Sequence, residues 1–259
     1  MEKIGKQFKA IQAGTNHAKK VISKIPDDAP FACIDPETCP DPFIHPGYLG
    51  LIHKKFVSAS NERLKPKAIV FDASDPDYSH FYGTIMRYFT RQPDFFKSEY
   101  ILNDKTPGVG APSFNKGLLV LGDHGVGKTF MFNVLNQLNP FIRKFNNSFS
   151  FMSALEVVEL YNLDGSKGIQ QLFRGQRYFD DVGTEDAGQH FGRIEVFKVL
   201  LERRYDLYNQ TGQKTFITSN LSRDQFAKIY GSRIESRLYE MFNIMYAGGI
   251  DRRKTGISK

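Results

Sequence analysis

Gly117-Leu-Leu-Val-Leu-Gly-Asp-His-Gly-Val-Gly-Lys-Thr-Phe-Met-Phe-Asn-Val-Leu135 is the stretch that decides the fold of this 259-residue chain. It opens with a short apolar run, passes through a glycine-rich segment and leaves as a second apolar run with helical spacing. Residues 122–129 match the pattern G-x-x-x-x-G-K-[ST] without a gap. The stretch therefore predicts a buried strand, a tight loop and a helix, in that order.

Glycines let the backbone of such a loop curl until successive N–H groups point inward, and the helix that follows adds partial positive charge. This arrangement suits the phosphates of a nucleotide. Lys128 can reach the β- and γ-phosphates, and the Thr129 hydroxyl can ligate Mg²⁺. An ordinary glycine turn is the alternative, and the strand–loop–helix context argues against it. The residues predicted to bind ATP are Gly122, Asp123, His124, Gly125, Val126, Gly127, Lys128, Thr129 and Phe130.

Two further predicted strands end in polar side chains. Asp180 is expected to hold Mg²⁺, and Asp181 to orient and deprotonate the attacking water. Ligands of open α/β sheets bind beyond the carboxyl ends of the strands, so Asn220 is expected to face the γ-phosphate or the water. The alternatives are a solvated acidic turn for the aspartates and a turn cap for Asn220. Arg177 is unusual at the start of a buried strand.

From residue 116 onward, short apolar strands alternate with longer helical stretches. The strands are predicted at residues 117–121, 148–151, 177–180, 215–218 and 243–246. Each intervening stretch is long enough for a crossover helix, which predicts an α/β P-loop fold with a parallel sheet covered on both faces. Three helix starts have capping-box spacing: Ser153 with Glu156, Ser222 with Gln225, and Ser232 with Glu235. The helix before residue 210 has a stripe of Ile194, Phe197, Leu201, Tyr205 and Tyr208.

Arg233 and Arg237 are four residues apart and therefore lie on one face of a predicted helix. An arginine that projects from a helix can stabilise the phosphoryl-transfer transition state of a neighbouring subunit. The alternative is a surface charge pair with Glu235 or Glu240, and spacing by itself favours that alternative.

Together, four motifs resemble those of the AAA+ ATPases of the DnaC/DnaI helicase-loader and IstB transposition-helper group. They are the phosphate loop, Asp-Asp-Val-Gly-Thr-Glu at 180–185, Thr-Ser-Asn-Leu-Ser at 218–222 and Arg-Ile-Glu-Ser-Arg-Leu at 233–238. The resemblance covers residues 116–259. The second and third motifs in combination are more specific than the phosphate loop alone.

The resemblance implies an ATP-dependent homo-oligomer in which each site is completed by the next subunit. It implies that Lys128 and Thr129 belong to the first nucleotide motif, and Asp180 and Asp181 to the second. Lys128 and Asp181 would then act in catalysis, and Asn220 would sense the γ-phosphate. It matches Arg237 to the arginine finger, with Arg233 as an accessory. It also implies that no C-terminal helical lid follows the core, in which case Arg252 or Arg253 would act as a sensor.

The N-terminal part is expected to determine which partner protein the ATPase binds. The predicted division is a basic arm and linker at 1–65 for partner binding, a helical connector at 66–115 with a helix at 78–96, and the ATPase core at 116–259. Residues 25–48 are predicted to be a loop because they are rich in proline and aspartate.

The first functional hypothesis is a helicase loader that binds a replicative DNA helicase and single-stranded DNA. A transposition helper that binds duplex DNA is the second, and an ATP-gated assembly module with negligible turnover is the third. The presence of both Asp180 and Asp181 argues against the third.

Composition narrows the kinds of partner, cross-link and cellular location to be expected for this chain. The net charge of +7 is compatible with nucleic acid or with an acidic protein partner. Two cysteines exclude a disulfide framework. Cys33 and Cys39 with His45 and His53 are a possible zinc site, although Cys-x₅-Cys is wider than the usual spacing. Neither a secretory signal nor an apolar run long enough for a membrane span is found in the sequence, so a cytoplasmic protein is expected.

Overall fold

The computed structural model describes residues 46–105, 108, 110–184 and 195–255. The chain divides into two compact units between Phe71 and Asp72. The division expected from sequence, with boundaries after residues 65 and 115, concerns function and stays a prediction. The basic arm and three of the four candidate zinc ligands (Cys33, Cys39 and His45) lie outside the described residues. Among the described residues no cluster of three or more His, Cys, Asp or Glu side chains is placed to hold a metal ion.

The first unit contains helix α1 (Pro46–Leu64), followed by a 3₁₀ turn (Lys65–Lys67). The predicted loop at 25–48 is therefore wrong for its last three residues, which are helical. Proline is tolerated at the first position of a helix because its missing N–H would have no partner there. Within this unit the rings of Phe56 and Phe71 pack edge to face, with centroids 5.6 Å apart.

The second unit is built on a parallel sheet of strands β1 (Gly117–Gly122), β2 (Ser150–Ser153), β3 (Arg177–Asp180), β4 (Thr215–Thr218) and β5 (Phe242–Ala247). The strand order is β2-β3-β4-β1-β5, and all neighbours are parallel. β1 lies between β4 and β5, so the loop that follows it opens at the carboxyl edge of the sheet. This confirms the predicted α/β fold with a parallel sheet.

The helices are α2 (Pro76–Phe89), α3 (Lys128–Gln137), α4 (Asn139–Ile142), α5 (Ala154–Asp164), α6 (Ser166–Phe173), α7 (Val196–Thr211), α8 (Arg223–Tyr230), α9 (Ser232–Met241) and α10 (Arg252–Thr255). Within the described residues, none of the helices has the length and apolar character needed to span a bilayer.

Two faces of the sheet carry two different cores. One face is covered by a cluster of aromatic side chains, in which Phe132 stacks on Tyr178 with centroids 4.3 Å apart and planes 14° from parallel. Phe216 joins this cluster through Phe149 and Phe89. The other face is mostly aliphatic, with residues such as Ile217 and Leu200, and Phe179 also belongs to it. Adjacent residues of one strand, such as 178 and 179, therefore serve opposite cores, as the pleat of a strand requires.

Two capping boxes form as predicted and one does not. The Ser153 and Ser222 side chains accept from the N3 backbone N–H, and Glu156 and Gln225 accept in return from the cap backbone. Ser232 is wrong as a cap, because Gly231 occupies the cap position and Ser232 is already helical. α8 ends at Tyr230, so the chain must turn within one residue, and glycine allows the φ of +88° that this turn uses.

The predicted helix at 78–96 is wrong at its C-terminal end. α2 stops at Phe89, and residues Pro93–Lys97 form a separate 3₁₀ helix. Proline at 93 lacks an N–H and disfavours helical geometry in the residue before it. Gln92, the residue before the proline, is accordingly extended, and the chain already turns at Arg91, which has a φ of +54°.

Strand β2 begins two residues later than predicted. The Asn139 side chain accepts from the backbone N–H of Phe149 at 2.9 Å and donates to its carbonyl at 2.7 Å. These two bonds use the backbone groups that a strand would need for pairing. Pairing with β3 therefore starts at Ser150, opposite Arg177.

The apolar stripe of α7 is confirmed for Phe197 and Leu201, which are buried, whereas Tyr205 and Tyr208 are half-buried. Ile194 lies outside the described residues. The most buried large side chain of the helix is the unexpected Arg204, which is 0% exposed. Its guanidinium donates to Thr215 Oγ1 and to four backbone carbonyls, those of Leu172, Phe173, Gly175 and Lys214.

Arg177, the unusual residue at the start of β3, is only half-buried. Its guanidinium donates to the carbonyls of Arg174 and Gln171 at 3.1 and 2.7 Å. The charge of Arg177 therefore lies at the first residue of β3, and the other three residues of the strand are buried.

Candidate nucleotide-binding site

The phosphate loop leaves β1 at its carboxyl end and leads directly into the N-terminus of α3. Gly122 has a φ of +137°, and a Cβ there would lie 2.0 Å from the Ala247 carbonyl oxygen. Gly125 has a φ of +76°, and a Cβ there would lie 1.8 Å from Asp251 Oδ1. Backbone conformation and close neighbours therefore both require glycine at these positions. Gly127 caps α3, so that the helix begins at Lys128.

Lys128 is 4% exposed, and its ammonium group is held at the mouth of the loop. It donates to the carbonyls of Gly122 at 2.8 Å and Asp123 at 2.6 Å, and to Asn220 Oδ1 at 2.8 Å. Burial lowers the pKa of Lys128 to about 8, although Asp181, Asp123 and Asp180 oppose the shift. The structure therefore brings the lysine and the polar end of β4 together.

Thr129 and Asp180 meet at the start of α3 and the end of β3. The Thr129 hydroxyl donates to Asp180 Oδ1 at 2.9 Å, the Thr218 hydroxyl donates to the same oxygen at 2.5 Å, and the Tyr178 hydroxyl donates to it as well. A hydroxyl and a carboxylate side by side fit Mg²⁺, which takes few protein oxygens and leaves room for water and phosphate. These two residues are the ones that would hold the metal.

Asp181 lies beside this pair with an unusual backbone, at a φ of +53°. Its N–H donates to Thr218 Oγ1 at 3.2 Å, and its carboxylate accepts from Asn220 Nδ2 at 3.0 Å. Burial raises the pKa of the Asp181 carboxyl, and the charge of Asp180 raises it further. A carboxylate with a raised pKa is a better proton acceptor at neutral pH. Asn220 joins Asp181 to Lys128 through its two amide atoms.

The rest of the loop differs in exposure. Val126 is buried, Phe130 is half-buried and His124 is exposed. Asp123 is also exposed, and its carboxylate accepts from the Tyr246 hydroxyl at 3.2 Å and from the Gly249 N–H at 3.4 Å. The segment after β5 therefore supports the outside of the loop.

The same segment carries the two candidate sensor arginines. The backbone N–H of Arg252 donates to the Gly125 carbonyl at 3.1 Å, and its guanidinium bonds Asp75 at 2.7 Å. Arg253 bonds Asp251 at 3.0 Å, and its charge contributes to the lowered pKa of Lys128. Arg253 is thus near enough to act on the site electrostatically, and a sensor role for either arginine stays a prediction.

Arg237 and Arg233 make their contacts elsewhere, on helix α7. The Cζ of Arg237 lies 4.3 Å from the centroid of the Tyr205 ring. The Nε of Arg233 lies 3.8 Å from a carboxylate oxygen of Glu202. Among the described residues, no hydrogen bond or ion pair joins either arginine to the phosphate loop or to the acidic pair, and neither forms an ion pair with Glu235 or Glu240.

The sequence reasoning missed Tyr178, Tyr246 and Asp251. Tyr178 is two residues before Asp180, so both side chains lie on one side of β3, and this spacing was a signal that could have been used. Tyr246 and Asp251 reach the loop only because β5 pairs with β1. Their positions in the sequence carry no sign of this contact.

Two of the solved structures that the chain is similar to carry the names of the group that its motifs resemble. No family model matches the chain, and no curated protein does either. The chain is similar to three solved structures. A protein described as a primosome component of Streptococcus pyogenes serotype M3 has 17% identity and a TM-score of 0.46, and the match covers 70% of this chain and 85% of that one. The DnaC helicase loader has 20% identity and a TM-score of 0.40, over 51% of this chain and 78% of that one. DnaI has 22% identity and a TM-score of 0.44, over 68% and 87%. All three identities are below 25%, so this likeness concerns the fold alone.

Proposed function

We propose that the chain binds ATP with Mg²⁺ and hydrolyses it. The observation that carries the proposal is the hydrogen-bonded connection Lys128–Asn220–Asp181 next to the Thr129–Asp180 pair. These side chains come from three separate strand ends and meet at one edge of the sheet. An ordinary glycine turn would not require an ammonium, a metal-binding pair and a proton acceptor at the same place.

Each group then has a defined task. The backbone N–H groups of the loop and the start of α3 bind phosphate oxygens, and Lys128 adds the positive charge. Thr129 and Asp180 would hold Mg²⁺, which would supply positive charge against the negative charge that develops on the phosphates. Asp181 orients the attacking water and accepts its proton. Asn220 holds the Asp181 carboxylate in place and can donate to a γ-phosphate oxygen from the same amide.

Two substitutions test this division of tasks. Lys128→Ala should abolish ATP binding in titration calorimetry, because the loop loses its cation. Asp181→Asn should keep binding but lower kcat by about 10²–10⁴-fold, the usual contribution of a positioned general base. Asp206→Asn on the exposed side of α7 is a matched control and should leave both unchanged.

Three results would contradict the proposal in different ways. Folded protein that gives no heat with ATP and Mg²⁺ has no nucleotide site. An Asp181→Asn variant that hydrolyses at the normal rate removes Asp181 as the base. Oligomers that form with ATP but release no phosphate would favour the alternative function, an ATP-gated assembly module.

We further propose that the chain binds a replicative DNA helicase and single-stranded DNA, as in the helicase-loader group that the motifs resemble. Exposed basic side chains at the end of α1 and in the 3₁₀ turn after it, which include Arg63, Lys65 and Lys67, support contact with nucleic acid. Deleting residues 1–65 should abolish capture of the helicase and leave ATP hydrolysis intact. A preference for duplex DNA without helicase capture would favour a transposition helper instead.

The DNA contact has its own measurement. For single strands, the slope of log affinity against log salt should become less steep by about 1.4 when Lys65 and Lys67 are both changed to alanine, at about 0.7 per phosphate contact. Lys97→Ala is a matched control from the second unit, because this exposed lysine already pairs with Asp94. An unchanged slope in the double variant would exclude these lysines from the DNA contact.

A further inference from the structure

Three side chains of α7 and α9 form a connected set away from the phosphate loop. The guanidinium of Arg237 lies over the Tyr205 ring, with its Cζ 4.3 Å from the centroid. The Tyr205 hydroxyl donates to Glu240 Oε2 at 2.8 Å. Arg237 and Glu240 are three residues apart and thus on one side of α9. The ring is therefore held from α9 at its hydroxyl while its face holds the arginine.

An aromatic ring holds a guanidinium in a different way from a carboxylate. The contact with a ring face uses no oxygen acceptor, so the N–H donors of the guanidinium stay available to phosphate oxygens. The ring also carries no net charge, and so it does not itself offset the positive charge of the arginine. A carboxylate partner would offset that charge and occupy the same donors.

The two candidate arginines differ in this respect. Arg233 is exposed and lies 3.8 Å from Glu202, a loose surface contact with an opposite charge. Arg237 is half-buried and rests on a ring. An arginine that acts on a triphosphate needs its donors and its charge, and it loses less freedom on binding if its side chain is already restricted.

We propose that Tyr205 is a positioning residue for Arg237: its ring holds the guanidinium in the conformation that enters the ATP site of a neighbouring subunit. This inference rests on the proposed ATPase function and on assembly into oligomers. Its described contacts are with Arg237 and Glu240, so its proposed role is to position the arginine. The expected contribution is about fivefold in rate, the size of a cation–π contact at a half-exposed site.

Mixed oligomers separate the donor of the arginine from the site it serves. Arg237→Ala subunits have an intact ATP site and lack the arginine. Asp181→Asn subunits bind ATP and keep the arginine but cannot hydrolyse. Each should be inactive alone, and their mixture should hydrolyse ATP at the Arg237→Ala sites.

Changes at Tyr205 are then made only in the Asp181→Asn donor. Adding Tyr205→Leu should lower the restored rate about fivefold with the KM for ATP unchanged, because the hydrolysing subunit keeps its own Tyr205. Tyr205→Phe keeps the ring and should restore within about twofold of the unmodified donor. Tyr205→Gln also removes the ring, so the conclusion does not depend on one variant folding. Tyr208→Leu, from the next turn of α7, is the matched control and should restore fully.

The outcomes are distinguishable. If wild type does not hydrolyse ATP, the proposed function is overturned and this inference with it. If wild type hydrolyses but the mixture of Asp181→Asn and Arg237→Ala stays inactive, Arg237 does not act in trans, and the inference fails alone. If the Tyr205→Leu and Tyr205→Gln donors enter the oligomer, as checked by size-exclusion chromatography, and restore the full rate, the ring does not position the arginine.

Discussion

Replacing Lys214 with methionine should change how the stability of the protein depends on pH. Lys214 precedes β4 and is 2% exposed. Its ammonium donates to Asn147 Oδ1 at 2.5 Å and lies 5.6 Å from the centroid of the Tyr88 ring. Burial lowers its pKa from 10.5 to about 7, and the charge of Arg91 adds to the shift. The folded protein therefore holds this proton less tightly than the unfolded chain does.

The sign follows from the two pKa values. Above 10.5 the amine is neutral in both states and the burial of charge costs nothing. Below about 7 it is charged in both states, and the cost is fully present. Between these limits the unfolded state binds more protons, so stability rises with pH. The difference of about 3.5 pKa units corresponds to about 5 kcal/mol as an upper limit, at ~1.36 kcal/mol per unit.

Between pH 7 and pH 9 the same titration is worth about 2 kcal/mol. Urea unfolding at several pH values in this interval measures the free energy of unfolding of wild type and of Lys214→Met. The wild type should gain about 2 kcal/mol relative to the variant from the lower to the higher pH. All other groups titrate in both proteins and cancel in the difference.

Lys214→Met also changes packing and the bond to Asn147, and this contributes an offset that does not vary with pH. The slope is therefore the relevant quantity. Lys228→Met, at an exposed position of α8, is the matched control and should run parallel to wild type. Parallel curves for Lys214→Met and wild type would refute the claim that a buried amine with a lowered pKa is present.

Three other changes give further checks. Bound phosphates should raise the pKa of Lys128 above the value of about 8 that it has in the nucleotide-free protein. Near and above pH 8, ATP binding should therefore take up a proton and become weaker as the pH rises. Calorimetric binding heats at pH 8 that do not depend on the ionisation enthalpy of the buffer would contradict this. Gly125→Ala should lower ATP affinity at least about tenfold in a fluorescence titration because its Cβ meets Asp251, whereas Gly175→Ala, at the same φ of +76° with open space, should bind normally. Arg204→Leu should lower the free energy of unfolding by about 3–5 kcal/mol because several buried carbonyls lose their donor, and a loss below about 1 kcal/mol would refute it.

Two of the corrections to the fold share one physical cause. The Ser232 cap and the β2 boundary were inferred from spacing within a few residues. The true boundaries depend on the end of the preceding helix at Tyr230, which leaves Gly231 as the cap, and on the side chain of Asn139, which is ten residues from Phe149. The end of α2 is different, since Pro93 is visible in the sequence and was a usable stop signal.

The candidate site was predictable to the extent that its parts follow strand ends. In a parallel sheet all carboxyl ends meet at one edge, so Asp180, Asp181 and Asn220 were expected near the phosphate loop. Which atoms bond was not predictable. Asn220 bridges Lys128 and Asp181 across 92 and 39 residues, and that geometry depends on the packing of whole elements.

By itself the sequence determined the phosphate loop, the alternation of strands and helices, and the parallel sheet, because glycine backbone freedom, strand pleat and helical spacing act between near neighbours. The tertiary structure alone decided that Tyr205 lies under Arg237, that Asp251 lies against Gly125, and that Lys214 is buried beside Asn147. These contacts join residues 32, 126 and 67 positions apart. Side chains so far apart meet only after the sheet and its helices have packed, and no short-range pattern encodes that meeting.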